Sequence, residues 1–139
     1  MISTSAAERL LRAGLVWHPH AGDRFALRSA QLAGEVFTIS DMVVEAHQYP
    51  GGTVLGFNGT TEWALDSVEQ DDALWLPRED QLRDLLGGTF RSLARALDGR
   101  YEVLVELAGR PEQVFTADSA SDAYAEALLA LLGVALERG

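Results

Sequence analysis

The chain has 139 residues, 47% of them hydrophobic, and no cysteine. This size and composition are typical of one globular domain with its own core, and the lack of cysteine excludes disulfides, thiolate metal sites and cysteine catalysis. The 11 basic residues are all arginines and stand against 21 carboxylates, which leaves a net charge of −10. That charge disfavours nucleic acid and anionic membranes as partners, and the absence of lysine excludes Schiff-base and P-loop chemistry.

The N-terminal segment is predicted to be an amphipathic helix. Ser5 and Glu8 have the spacing of a capping box, which predicts a helix over residues 6–13 with Leu10 and Leu11 on its buried face. The arginines within this apolar pattern distinguish it from a secretion signal. We therefore expect a cytoplasmic protein.

The middle of the chain is predicted to be a meander of antiparallel strands. Tyr49-Pro50-Gly51-Gly52 and Asn58-Gly59 are turn sequences, because proline fixes φ and because asparagine and glycine tolerate positive φ. Residues 69–72 are interpreted as a polar surface connection. The predicted extended segments are, in chain order, residues 15–17 in a hairpin with 25–27, then 35–39 beside 42–47, then 53–57 and 60–65.

The clearest helix is predicted over residues 78–86. Pro77 suits a first helical turn because it has no N–H donor, and Glu79 and Asp80 favour the positive end of the helix dipole. Gly87-Gly88 is predicted to end the helix. Its buried stripe is expected to consist of Leu82, Leu85 and Leu86.

The C-terminal third is predicted to contain three strands and a helix. Residues 90–97 fit a helical face as well as a strand, and the strand is preferred because the Asp98-Gly99 turn leads into the alternating residues 101–107. Residues 113–116 add the third strand. A helix follows over residues 120–137, with Asp118, Ser119 and Ser121 as candidate caps and Tyr124, Leu128, Leu131, Leu132 and Ala135 as its core stripe.

Two properties of the whole chain follow from these elements. The C-terminal helix is apolar on nearly all sides, so it is expected either to be buried between layers or to be shared with a second copy, and it is too short to span a membrane. The elements predict one α+β domain over residues 1–139. It has a mostly antiparallel sheet, with the N-terminal, central and C-terminal helices packed on one face.

One group of residues has the chemistry of metal ligands. His18, His20 and Asp23 lie close in sequence, and His47 is a further candidate through folding. Imidazole and carboxylate groups suit zinc or iron. Pro19 interrupts the alternation that would bring both rings to one side of a strand, so exposed turn residues remain the alternative. A small hydrolase or metal-dependent enzyme using these residues is the second functional hypothesis, without an assigned catalytic residue or cofactor.

The preferred functional hypothesis concerns aromatic and acidic residues in the middle of the chain. Phe57, Trp63 and Trp75 are either core residues or the lining of an interface or small-ligand pocket. Glu69, Asp71 and Asp72 lie between the two tryptophans in sequence and are assigned to the same binding region. We expect a non-enzymatic protein that binds a protein partner or associates with itself. A small-ligand pocket is the third hypothesis.

Two segments also resemble known sequences. The run GFNGTTEWALDSVEQDDALWLPREDQLRDLLGGTFRSL and the run ADSASDAYAEALLALL are similar to short uncharacterised proteins of high-GC Gram-positive bacteria, some of them labelled pilus assembly proteins. The resemblance covers residues 37–132. More loosely, the W-L-P helix start and the terminal helix resemble small phage-associated proteins of unassigned role. The pilus label implies a P-loop ATPase, whose lysine is absent here, and no catalytic residue is carried over from either group.

Overall fold

A computed structural model of the chain describes residues 1–28, 35–39, 43–49, 52–57, 67–69 and 72–138, with side chains for 1–28, 35–39 and 72–136. Within these residues the fold is α+β, as the sequence predicts. The elements in chain order are α1 (Thr4–Arg12), β1 (Arg24–Leu27), β2 (Val36–Thr38), β3 (Val43–Tyr49), β4 (Gly52–Phe57), β5 (Ser67–Glu69), β6 (Ala73–Trp75), α2 (Glu79–Leu86), β7 (Phe90–Arg95), β8 (Tyr101–Val105), β9 (Gln113–Ala117) and α3 (Ala120–Arg138).

The described strands form three antiparallel sheets of three strands each. Their orders are β2-β1-β6, β3-β4-β5 and β7-β8-β9. The chain divides into two compact units. Unit 1 comprises Met1–Val16 and Pro77–Gly139, and unit 2 comprises Trp17–Leu76. One domain over the whole chain therefore stays a prediction.

Unit 1 is a layer of helices on one face of the β7-β8-β9 sheet. α3 packs on β8 and β9, and both α1 and α2 pack against α3. Val103 and Val105 alternate along β8, point to the helix layer and are fully buried, because successive strand residues face opposite sides of a sheet. The three-stranded antiparallel unit predicted from residues 90–116 is confirmed.

α3 is apolar on nearly all sides and is covered from several sides by other elements of the unit. Ala123, Ala125 and Ala127 are completely buried, although Ala125 lies on the opposite side of the helix from Ala123 and Ala127. This confirms burial between layers for the first half of α3, up to Leu128. Beyond it, the predicted stripe residues Leu131 and Leu132 are partly buried, Ala135 is exposed and Leu136 is 71% exposed. Among the described helices, none combines the length and apolarity needed to cross a membrane.

The starts of the helices differ from the predictions. The cap of α1 is Ser3, whose hydroxyl accepts a hydrogen bond from Ala6 N at 3.1 Å, so the helix begins before the predicted Ser5 cap and Leu11 is 42% exposed. α2 begins after Arg78, so Pro77 precedes the helix and is not part of its first turn. The serine cap of α3 is Ser119, which accepts from Asp122 N at 3.1 Å.

The rest of α2 is largely as predicted. Glu79 and Asp80 occupy its first turn, and Gly87 ends it with a φ of 57°, a left-handed conformation that glycine adopts without strain. Leu82 and Leu86 are buried as predicted, but Leu85 is 40% exposed. The helix therefore presents a narrower apolar stripe to the core than three leucines indicate.

Unit 2 contains the other two sheets. In the first, β1 pairs with both β2 and β6. The predicted hairpin between residues 15–17 and 25–27 is therefore wrong, and β2 does not neighbour β3 in either sheet. The sequence predicts that Leu74-Trp75-Leu76 leads into the helix start at Pro77, but Ala73–Trp75 forms strand β6. No local pattern predicts this strand, because its hydrogen-bonding partner β1 is distant in sequence.

The second sheet of unit 2 confirms part of the predicted meander. β3 and β4 pair antiparallel with Tyr49 opposite Gly52, as the turn sequence between them predicts. β5 (Ser67–Glu69) pairs with β4, so Glu69 belongs to a strand and not to a polar connection. The predicted Asn58-Gly59 turn and the strand over 60–65 lie outside the described residues.

Candidate functional site

The candidate metal ligands of unit 2 form a hydrogen-bonded turn. Asp23 is buried, at 2% exposure, and its Oδ2 accepts hydrogen bonds from the Trp17 indole Nε1 and from the His20 backbone N, both at 2.9 Å. The side chains of His18 and His20 are exposed. The turn therefore uses the Asp23 carboxylate to bind an indole and a backbone amide.

The rings of His18 and His20 do not meet the carboxylate in this turn. Nδ1 of His20 lies 2.6 Å from the carbonyl oxygen of His18, which is a contact within the turn itself. No group of three histidine and acidic side chains with ligand geometry occurs among the described residues. The side chain of His47, the fourth candidate, is outside the described part.

The aromatic residues of unit 2 form a cluster that the sequence predicted only in part. Trp17 stacks on Trp75 with ring centroids 6.4 Å apart and planes 10° apart. The cluster continues from Trp17 to Phe25 at 5.7 Å and from Phe25 to Phe37 at 5.5 Å. Trp17, Phe25, Leu27, Ile39 and Ala73 are its buried members. We call these residues, with Phe37 and Trp75, the Trp17 cluster.

The predicted binding residues take different positions relative to this cluster. Trp75 belongs to it and is partly exposed, and its indole Nε1 is buried without a hydrogen-bond partner among the described residues. Asp72 is half-buried, and its carbonyl oxygen accepts from Arg28 N at 2.8 Å. Phe57 and Glu69 lie in β4 and β5, of which the backbone is described, and Trp63 and Asp71 lie outside the described residues. The binding role of this set stays a prediction.

Trp17 itself was missed as a cluster member. Its local pattern predicts the end of an extended segment, residues 15–17, just before a turn of histidines and a proline. Its partners Phe25 and Trp75 come from the register of the β1–β6 pair, in which Phe25 lies opposite Trp75. Because that register joins residues about fifty positions apart, no local pattern predicts it.

Unit 1 carries the second candidate, the open edge of its sheet at β7. Each residue from Arg91 to Arg95 is exposed, and among the described strands β7 has a neighbour on one side only, β8. The strand at the opposite edge, β9, is half-buried in alternation and has no charged residue. An exposed edge strand has unpaired backbone donors and acceptors, which are the groups that bind an added strand.

The pairing of β7 with β8 shows which backbone groups are free. Ala96 N donates to Arg100 O at 2.8 Å, and in an antiparallel pair the hydrogen-bonded positions alternate. Ala94 therefore points its N–H and C=O toward Glu102 of β8. Leu93 and Arg95 point theirs away from the sheet, and within the described residues no other backbone group binds them.

A β-bulge determines which β7 side chains share a face. Phe90, Leu93 and Arg95 lie opposite Val105, Val103 and Tyr101, with the irregularity between Phe90 and Ser92. The three β8 residues are two positions apart and share one face. Without the bulge, Phe90 and Arg95 would face opposite sides, because they are five positions apart; with it, Phe90, Leu93 and Arg95 all lie on the helix-bearing face.

Each end of this exposed row has an arginine over an aromatic ring. The guanidinium carbon of Arg83, from α2, lies 4.5 Å from the centroid of Phe90. The guanidinium carbon of Arg95 lies 5.5 Å from the centroid of Tyr101, and its Nε donates to Gly99 O at 3.5 Å. A ring face attracts a cation and orients it without neutralising it.

Neighbouring arginines of unit 1 are neutralised by carboxylates, but these two are not. Arg91 pairs with Glu106 at 3.3 Å and Arg100 with Asp118 at 3.4 Å. Within the described residues, Arg83 and Arg95 have no carboxylate within ion-pair distance. We call Arg83, Phe90, Leu93, Arg95 and Tyr101 the β7 edge row.

The edge row is linked to the core through Phe90. The Phe90 ring lies 5.7 Å from the ring of Tyr124 in α3. Burial raises the pKa of the Tyr124 phenol, and the charge of Arg83 acts against that rise. Arg83 is therefore close to both rings, and the Phe90 end of the row rests on the buried Tyr124.

Comparison with protein-family models, with curated proteins and with solved structures gave no match to this chain. The function must therefore be argued from the geometry of the two candidate regions.

Proposed function

We propose that this protein is a non-enzymatic protein-binding module that takes up an extended segment of a partner at the free edge of β7. The observation that carries this proposal is the outward direction of the Leu93 and Arg95 backbone groups on a strand whose residues from Arg91 to Arg95 are all exposed. A partner segment in extended conformation satisfies these groups by continuing the sheet. The side chains of the edge row then select the partner.

The rest of unit 1 supports such a role by making the edge rigid. β7 pairs along its length with β8, and Val103 and Val105 of β8 are fully buried under the helices. The hairpin between the two strands is closed by Asp98 and Gly99, with Gly99 at a φ of 86°. A pre-formed edge loses little conformational entropy when a partner strand binds.

A proline substitution tests the proposal because it removes one outward donor. In Leu93→Pro the lost N–H is one that β8 does not use, and proline is tolerated at such edge positions. The matched control is Val114→Pro at the opposite edge. Val105, Val103 and Tyr101 point their backbone groups toward β9, so the Val114 N–H also points outward, and its side chain is 52% exposed.

The measurement is a selection of random dodecapeptides displayed on phage, carried out in parallel on the full-length protein and both variants. We expect peptides enriched on the wild-type protein to bind Val114→Pro equally and to lose binding to Leu93→Pro. Circular dichroism of each variant checks that the fold is retained. No enrichment on the wild-type protein, or equal binding to all three proteins, would contradict the proposal.

A further inference from the structure

We infer that the segment bound at the β7 edge is acidic, with two carboxylate side chains four residues apart and an apolar side chain midway between them. This inference rests on the proposed function and specifies the chemistry of the partner. It follows from the positions of Arg83, Leu93 and Arg95 in the edge row, from the positive charge of the two guanidiniums and from the exposure of these side chains.

The two guanidiniums define the ends of the partner motif. Arg83 lies over Phe90, and Arg95 lies over Tyr101. The stretch of β7 from Phe90 to Arg95 lies opposite Val105 to Tyr101 of β8. It is five residue steps long on β7 and four on β8, because the bulge adds one residue to β7. A regular strand rises about 3.3 Å per residue, so the two ends are roughly 13 Å apart. A regular partner strand therefore reaches both with side chains at i and i+4.

Leu93 defines the middle of the motif. It lies opposite Val103, between the two ends and on the same face, and it is 38% exposed. A partner side chain at i+2 points to that face as well. An apolar side chain at i+2 therefore covers Leu93, because apolar side chains on neighbouring strands pack together.

The local charge of the edge row, and not the net charge of the unit, favours an acidic occupant. Nine of the 11 arginines lie in unit 1, together with twelve of the 21 carboxylates, so its net charge is −3, and unit 2 has the remaining −7. Against this acidic background the edge row presents two guanidiniums that have no carboxylate partner in the described part of the chain. Guanidinium and carboxylate form strong charge-assisted hydrogen bonds, often two at once.

A second copy of the chain fits the edge less well. Pairing β7 with β7 of another copy brings Arg95 of both strands to one interface, together with both copies of Arg83. Like charges on neighbouring strands destabilise the pairing. The charges that oppose self-association are the same ones that attract an acidic strand, so the edge selects against its own copy.

The test uses the full-length protein and a synthetic nonapeptide. The peptide has glutamate at its third and seventh positions, isoleucine at the fifth and threonine elsewhere, because threonine favours an extended backbone. Two control peptides replace both glutamates by glutamine or move them to the fourth and sixth positions, which face the other side of the strand. Binding is measured by fluorescence anisotropy of the labelled peptide.

We expect the first peptide to bind best, and both controls to bind about tenfold more weakly. Arg83→Gln combined with Arg95→Gln should reduce its affinity about tenfold, whereas the matched control Arg100→Gln, on the other face of the hairpin and paired with Asp118, should leave it unchanged. Raising the ionic strength should weaken the wild-type complex and have little effect on the double variant.

Three outcomes would overturn the inference and separate it from the proposed function. If the glutamate and glutamine peptides bind equally well and Leu93→Pro abolishes both, the segment pairs at the edge as proposed but need not be acidic. If Leu93→Pro binds the glutamate peptide as well as the wild-type protein does, both the proposed function and the acidic motif are rejected. Sedimentation of the protein alone that shows a dimer abolished by Leu93→Pro identifies a second copy as the occupant and rejects the acidic partner.

Discussion

The Trp17 cluster and the β7 edge row both combine aromatic rings with a charged group, but they use the combination in opposite ways. In the cluster, the Trp17 indole donates to a carboxylate that is itself buried, Asp23. In the edge row, the charged groups are exposed guanidiniums that lie over rings and have no carboxylate partner among the described residues. A satisfied, buried pair contributes to folding, whereas an exposed, uncompensated charge is available for binding.

Removing a ring from the cluster should have the largest effect on stability. Trp17→Ala removes its contacts with Trp75 and Phe25, and we expect the free energy of unfolding to fall by about 4 kcal/mol. Urea denaturation followed by circular dichroism measures it. Trp17→Phe keeps a ring and loses the indole donor, so its smaller loss of about 1–2 kcal/mol serves as the control. A loss below about 1 kcal/mol for the alanine variant would show that the cluster is not part of the stable core.

Proline substitutions at two neighbouring positions of β7 should differ in their effect on stability. Ala94→Pro removes an N–H that points to β8, and we expect a loss of about 3 kcal/mol. Leu93→Pro removes an outward N–H and should cost about 1 kcal/mol or less. Thermal unfolding of both variants measures the difference. Equal losses would mean that the alternation of β7 backbone groups deduced from Ala96 and Arg100 is wrong.

Truncating Asp23, which hydrogen-bonds to Trp17 of the cluster, should have an intermediate effect on stability. Asp23→Ala leaves the Trp17 Nε1 and His20 N without the acceptor they share, and we expect a loss of about 2 kcal/mol. Asp23→Asn keeps an acceptor oxygen and should lose less. Chemical denaturation of the two variants, with added zinc in a parallel series, measures both. Stabilisation of the wild-type protein by zinc that Asp23→Ala removes would instead favour the metal-site hypothesis for His18, His20 and Asp23.

The arginines of the edge row should matter least for stability. Arg83→Gln and Arg95→Gln each remove one exposed cation–π contact, so the free energy of unfolding should change by about 0.5 kcal/mol or less. Differential scanning calorimetry checks this. If either variant destabilises the protein as much as Asp23→Ala does, that arginine contributes to folding, and the contrast between the Trp17 cluster and the edge row does not hold.

The elements could be predicted where a short stretch of sequence determines the local backbone conformation. The Asp98-Gly99 turn predicts the hairpin of β7 and β8, and the Gly87 C-cap predicts the end of α2. The predictions were wrong where the partner strand is remote in sequence. β6 pairs with β1, and the Ser67–Glu69 strand pairs with β4, although the local sequences indicate a helix lead and a polar connection.

The edge row was not predicted for a related reason. Its members come from three elements, because Arg83 lies on α2, Tyr101 on β8 and the other three on β7, in the segment over residues 90–97 that fits a helical face as well as a strand. No pattern in the sequence places Arg83 over Phe90. The only local signal is that the segment FRSLAR contains two arginines and no carboxylate in a chain with a net charge of −10.

The sequence by itself determined the α+β class, the helix ends at glycine and the antiparallel strands around tight turns, because each depends on backbone preferences over a few residues. Tertiary structure decided which strands pair, which tryptophan packs on which ring, and that Phe90, Leu93 and Arg95 share a face. These depend on strand register and on one bulge, and a shift of one residue moves every side chain of a strand to the opposite face.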